Sequence, residues 1–283
     1  MIFWKNTKNK KQLAEKLSIL NRIPLLLFYY RLRYKRVYQN LATRIFDITF
    51  DSPFGIASGY DENCEFHKLY SNFGPGFIEI GPIGLQEMDG KGVEEAVAQL
   101  RLQRPNIRLA AHLSNDNSLG DNEEETANFA RSMALLYDFV DIFIIDSNNC
   151  GVTEDITRLS EVIDKMLETR RFFDKRRPIF VNITKGTCRS DIDGIVAYVM
   201  RSGLDGVVVK DCKWVDYIHK KTSGNLLIIA SGEGIGTAEM AYRMLCDGAS
   251  LVEFDEALLK EGPALLKNAN QLLHQLRKLN SSR

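Results

Sequence analysis

The run Ile228-Ile229-Ala230-Ser231-Gly232-Glu233-Gly234-Ile235-Gly236 decides the fold, because a strand, a turn and the start of a helix can all be read from it. Its apolar opening has no polar alternation, as expected of a strand buried on both faces of a parallel sheet. The three alternate glycines let backbone N–H groups approach an anion, and a following helix adds the favourable end of its dipole. The same glycines also suit a tight turn that brings helix and strand close together. Both readings of the loop stay open on sequence alone.

Working outward, seven further runs of the same kind appear: Phe54–Ala57, Phe77–Gly81, Ile107–Leu113, Asp141–Asp146, Ile179–Thr184, Gly206–Lys210 and Leu251–Phe254. With Leu226–Ser231 they make eight, separated by helix-length patterns at Gly92–Arg104, Glu123–Phe139, Ile156–Phe173, Asp191–Ser202 and Thr237–Asp247. Eight β/α units are the number that closes a (β/α)8 barrel of the TIM type. A doubly wound open sheet is the alternative, and the regular eightfold alternation disfavours it. Arg44–Phe50 reads as an extra extended piece ahead of the first barrel strand. The predicted organisation is a helical extension over residues 1–40 and a barrel over residues 41–283. The glycine loop then follows strand seven, where barrels of this type commonly hold a phosphate.

The 283 residues suffice for one such barrel with a core that needs no disulfide or metal. Cys64, Cys150, Cys188, Cys212 and Cys246 are odd in number and include no CxxC pair, which suits a reducing cytosol and argues against a zinc ribbon. The histidines (His67, His112, His219, His274) form no metal-ligand motif, so no metal is expected. The net charge of zero conceals an asymmetry: residues 1–36 hold ten Lys/Arg against one acid, Glu15. The remaining chain therefore carries 27 basic and 36 acidic residues, a balance of −9 that disfavours nucleic-acid binding.

Within the basic segment, Ile23–Tyr30 is apolar and Arg31–Tyr38 mixes arginine, lysine, leucine and tyrosine. The apolar run is far short of the roughly 20 residues of a membrane span, and no signal-peptide cleavage site is visible. A helix of this composition suits the surface of an anionic bilayer. It equally suits an arm packed on its own barrel or on a second copy in a homo-oligomer. The expected location is cytoplasmic, with peripheral attachment to the inner face of a membrane as the extension of that reading.

In such barrels the chemistry lies at the C-terminal ends of the strands. Those ends supply Ala57, Ser58, Gly59, Asp61 and Glu62; Gly81; His112; Asp146, Asn149 and Cys150; and Asn182 and Lys185. Lys210, Asp211, Ser231, Gly232, Gly234, Gly236, Phe254 and Asp255 complete the set. The predicted mouth is polar and rich in acids.

The chain resembles the dihydroorotate dehydrogenase family, especially its membrane-associated class. The resembling stretches are Ile48–Gly59, Gly76–Gly81, Leu204–Val209, Gly248–Phe254 and Glu261-Gly262-Pro263, spanning about residues 45 to 275. The resemblance implies FMN at the barrel mouth and oxidation of dihydroorotate to orotate. The flavin would lie against Ala57, Ser58, Gly59, Gly81, His112, Asn182, Ser231, Gly232, Gly234, Gly236, Phe254 and Asp255. The basic N-terminal segment would meet membrane and quinone.

The family's chemical positions are widely substituted. Glu62 stands near the lysine expected to hold the substrate carboxylate, and an acid there repels an anion. Asn149 aligns with the catalytic base, and a one-residue shift brings Cys150 there instead. Asn182 replaces the lysine that steadies reduced flavin, with Lys185 and Lys210 near enough in sequence to substitute. Asp211 and His112 replace asparagines, and Asp146 opens the base loop. The connection Pro82–Lys91 is much shorter than the family's, Glu233 replaces a glycine of the phosphate loop, and Asp255-Glu256 replaces a small polar pair. Three readings follow: a working FMN-dependent enzyme with reassigned roles, a barrel binding FMN or another phosphate-bearing ligand with changed specificity, and a non-catalytic barrel with a partner or regulatory role.

Overall fold

A computed structural model gives the architecture and describes residues 4, 7–84, 92–114, 122–146 and 156–281. Two helices come first, α1 (Lys10–Asn21) and α2 (Pro24–Tyr34), where the sequence suggested one. Pro24 explains the break: it lacks an N–H and sits at the first position of α2, where none is needed. Asn9 caps α1 by accepting from the Gln12 N–H at 2.9 Å.

The extended piece ahead of the barrel is a hairpin, β1 (Thr43–Ile45) and β2 (Ile48–Phe50), paired antiparallel and turning at Phe46 with φ 53°. Eight parallel strands then close a barrel: β3 (Phe54–Ile56), β4 (Phe77–Ile83), β5 (Arg108–Leu113), β6 (Ile142–Asp146), β7 (Ile179–Ile183), β8 (Gly206–Val209), β9 (Leu227–Ala230) and β10 (Leu251–Phe254). β10 pairs with β3 and completes the ring. Outside it lie α3 (His67–Tyr70), α4 (Val93–Leu102), α5 (Asn122–Leu136), α6 (Ile156–Arg170), α7 (Arg189–Ser202), α8 (Val215–Lys221), α9 (Ala238–Cys246), α10 (Glu256–Glu261) and α11 (Ala264–Ser281). The (β/α)8 expectation is correct, and each strand falls within a few residues of its predicted run.

The barrel interior has two characters. At its N-terminal end Phe77, Ala110, Ile142, Ile144, Phe180, Val208, Ile229 and Leu251 form one apolar cluster with Ile45, Ile48 and Phe50, so the hairpin plugs the bottom. Large rings fit there because small residues face them: a Cβ on Gly55 would lie 2.5 Å from the Phe77 ring. Side chains two apart on a strand share a face, so the next inward positions are Glu79, His112, Asp146, Asn182, Lys210, Ser231 and Glu253. The interior thus changes from hydrocarbon to charge within one step along each strand.

The N-terminal helices lie against this barrel. Leu13, Leu17 and Leu20 of α1 and Tyr30 and Tyr34 of α2 are buried, and Trp4 packs edge-on to Phe73 at 5.3 Å. The other side of α2 stays exposed.

Candidate functional site

Five barrel residues build a charged layer just beneath the mouth. Glu79 and Glu253 are fully buried, and His112 is nearly so. His112 Nδ1 lies 2.6 Å from Glu79 Oε1, and its Nε2 is 3.6 Å from Asp146 Oδ2. Lys210 Nζ donates to Ser231 Oγ at 3.2 Å and lies 4.0 Å from Glu79 Oε2.

Burial alone would discharge each of these groups, yet their neighbours reverse that for three of them. Burial disfavours the Glu79 carboxylate, but Lys210 and the His112 hydrogen bond outweigh it and hold Glu79 well below the usual range. Burial likewise opposes the imidazolium, while Asp146 and Glu79 raise His112 to about 9. Lys210 is raised against its burial by Glu79, Glu253, Asp255 and Asp146. Glu253 goes the other way: burial, then the Glu79 charge, pushes its carboxyl well above the usual range. His112 enters the layer as a cation and cannot act as a base at pH 7.

The mouth above repeats this pattern of internal pairing. Lys10, reaching in from α1, donates to the Ser58 carbonyl at 2.7 Å and meets Asp255 Oδ1 at 2.7 Å. Lys185 pairs with Glu233, and Lys213 with Asp211 at 2.7 Å. Asp61 accepts from the Glu65 and Phe66 N–H groups at 2.8 and 2.9 Å, which fixes the loop after β3. Gly59 N–H donates to the Gly81 carbonyl at 2.8 Å, and Ala57 N–H to the Phe254 carbonyl at 3.1 Å. The Phe254 ring packs beside Phe54 in the outer core, so only its backbone borders the mouth.

The glycine loop has a packing reason for its composition. Gly232 has φ +105°, and a Cβ there would lie 2.3 Å from the Lys210 carbonyl. Gly234 sits under the Cys212 sulfur, 2.9 Å from where its Cβ would be, whereas a Cβ on Gly236 would meet only the Met240 sulfur, at an ordinary 4.0 Å. Thr237 Oγ1 accepts from the Met240 N–H at 3.3 Å and so caps α9 from within the chain. Around this loop and the start of α10, Lys10, Lys185 and Lys210 face Glu233, Asp255 and Glu256, so the formal charges of the six cancel. A phosphate monoester dianion such as that of FMN finds among them no lysine without a carboxylate beside it, and that does not fit a phosphate cradle.

No protein-family model matches the chain. Curated relatives named dihydroorotate dehydrogenase (quinone) match along most of it. The protein from Christiangramia forsetii is 22% identical, covering 88% of this chain and 89% of its own length, and that from Sphingopyxis alaskensis is 24% identical, covering 80% and 78%. The chain is a divergent relative of the dihydroorotate dehydrogenases. Solved structures of the Eimeria tenella dihydroorotate dehydrogenase share its fold: the ligand-free form superposes with TM-score 0.76 at 19% identity, covering 90% of this chain and 94% of that one. The complex with ferulenol gives 0.77 at 20% identity, with 91% coverage of each.

For a dihydroorotate dehydrogenase relative, the placement of the substituted positions is informative. Asn182, His112, Lys210, Ser231 and Asp255 share the barrel axis, and Asp146 closes the layer beside His112. Glu62 and Asp211 lie on the rim, while Lys185 is exposed and tied to Glu233. Asn149 and Cys150, the two candidates for the base, lie outside the described residues, as does most of the short connection after β4. Sequence reasoning passed over Glu79, Glu253 and Lys10. The first two could have been found by counting in twos from the mouth residues back along β4 and β10. Lys10 has no sequence signal, because its partners lie 48 and 245 positions away.

Proposed function

We propose that this chain is a dihydroorotate dehydrogenase-type barrel that has lost the dihydroorotate reaction and acts as a non-catalytic binding or regulatory protein. One observation carries the reading: Lys10, Lys185, Lys210 and Lys213 at the described mouth each have a carboxylate of their own chain beside them. An anionic substrate needs a cation with binding energy to spare, and displacing an internal pair leaves a carboxylate facing the incoming anion. FMN would meet the same difficulty through its phosphate, and the imidazolium of His112 offers no base. The test is turnover. With FMN and a soluble quinone supplied in excess, orotate should not form above the enzyme-free rate; steady orotate production would overturn the reading.

We further propose that α2 meets an anionic membrane surface. Leu25, Phe28 and Leu32, at helical spacing, are 80%, 57% and 61% exposed, and Arg22, Arg31, Arg33 and Arg36 are exposed around them. Among the described residues no helix is long and apolar enough to cross a membrane, so the attachment is to one surface.

A further inference from the structure

We propose that Lys35 is a nucleophilic lysine, set in a cavity at the N-terminal end of the barrel, that forms an imine with a small oxo acid whose carboxylate is held by Arg108. The cavity, of about 280 Å3, lies where the chain enters β4 and β5 and is lined in part by Lys35, Thr49, Asp51, Gly76, Asn106 and Arg108. It sits at the opposite end of the barrel from the mouth, so this inference and the reading of the mouth stand or fall separately.

The position of Lys35 is fixed by its backbone. Its N–H donates to the Arg31 carbonyl at 3.0 Å and so closes the last turn of α2. Its Cα packs on Gly74, which has φ +86° and where a Cβ would lie 3.4 Å away. The side chain is half-buried, and among the described residues no carboxylate lies within 4.0 Å of its Nζ. Burial, then the charge of Arg31, lowers the pKa of the amine, and Asp51 opposes this without reversing it. Lys185, Lys220 and Lys221 shift the other way, each raised first by a hydrogen bond to a carboxylate. Attack on a carbonyl needs the neutral amine, and desolvation beside another cation is what supplies it near pH 7.

Arg108 gives the cavity its second contact. Its Nε donates to the Thr49 carbonyl at 3.0 Å and its Nη1 to Asp141 Oδ1 at 3.1 Å, which holds the guanidinium in place and leaves Nη2 for a ligand. Arg177 donates to the same Asp141 oxygen at 3.2 Å, so one carboxylate serves two guanidiniums and a positive charge is left over. An amine and a guanidinium on one small cavity suit a molecule with a carbonyl at one end and a carboxylate at the other. The step needs no co-reactant. Lys35 Nζ adds to the carbonyl carbon, the C–O bond of the resulting carbinolamine breaks, and the oxygen leaves as water with the protons of the amine. Asp51, in the same cavity, can carry a proton from the nitrogen to the departing hydroxyl.

The test is reductive trapping in the full chain at pH 7, with glyoxylate and sodium cyanoborohydride, read by peptide mass mapping. Glyoxylate should modify Lys35 about tenfold faster than the exposed lysines, and K35R should remove the fast adduct. R108Q should slow glyoxylate at Lys35 about tenfold while leaving propionaldehyde, which has no carboxylate, unchanged. Labelling of Lys35 at the pace of the exposed lysines would overturn the nucleophile. An R108Q variant that slows both aldehydes equally, or neither, would overturn the carboxylate contact. If R108Q does not fold, the unaltered chain decides: excess acetate should slow glyoxylate at Lys35 but not propionaldehyde, and an absence of protection would overturn the same contact.

Discussion

Glu79 and Glu253 are two residues of one chemical type in one buried layer, yet their carboxyls are shifted in opposite directions. Glu79 is held low by Lys210 and His112, whereas burial and the Glu79 charge favour the neutral acid at Glu253. Removing one partner of a buried ion pair costs about 3–5 kcal/mol. Replacing a carboxyl that favours its neutral form by an amide of the same shape changes little. E79Q should therefore destabilise the chain severely in urea unfolding, while E253Q stays within about 1 kcal/mol; equal effects would refute the assignment. His112 adds a pH signature. Its folded pKa of about 9 lies above the unfolded value of about 6.5. The stability it contributes is thus complete below about pH 6.5 and lost as pH rises through about 9. Melting temperatures between pH 6 and 9.5 should fall in the unaltered chain and fall less in H112Q.

At the scale of elements, the sequence carried the strands well and the site poorly, for different physical reasons. A strand buried on both faces must be a short unbroken apolar run, so β4, β6, β8 and β9 announce themselves locally. The charged layer interrupts those runs only at their last inward positions, where Glu79 and Glu253 pass for ordinary strand residues. The hairpin of β1 and β2 looked like one extended piece because its tight turn sets the turn-favouring Asp47 behind Phe46, with no Gly or Asn to mark the positive φ. Three acids around the glycine loop, Glu233, Asp255 and Glu256, are costly on the sequence alone, and two of them, Asp255 and Glu233, are paired in the structure. Their lysine partners come from distant elements, Lys10 from α1 and Lys185 from the segment after β7, which no local pattern could connect. On α2 the exposed stripe permits a clean test, because L25S/F28S/L32S alters a surface without touching the buried Tyr30 and Tyr34. The triple variant should melt like the unaltered chain and lose most of its binding to phosphatidylserine vesicles; undiminished vesicle binding would remove the membrane proposal.

Taken whole, the molecule is a closed (β/α)8 barrel with a charged layer beneath its mouth. Similarity to dihydroorotate dehydrogenases runs over most of its length, and the closed ring of β3 to β10 follows the same plan. Within that shared frame, Lys10, Lys185 and Lys213 at the described mouth pair with Asp255, Glu233 and Asp211 of the same chain, which is what the proposed loss of the dihydroorotate reaction rests on. The most direct test is the visible absorbance of the full chain, purified without added flavin and then titrated with FMN. A colourless protein that leaves the spectrum of added FMN unshifted is the expected result. A bound-flavin spectrum that bleaches when dihydroorotate is added without oxygen would contradict the account at its centre.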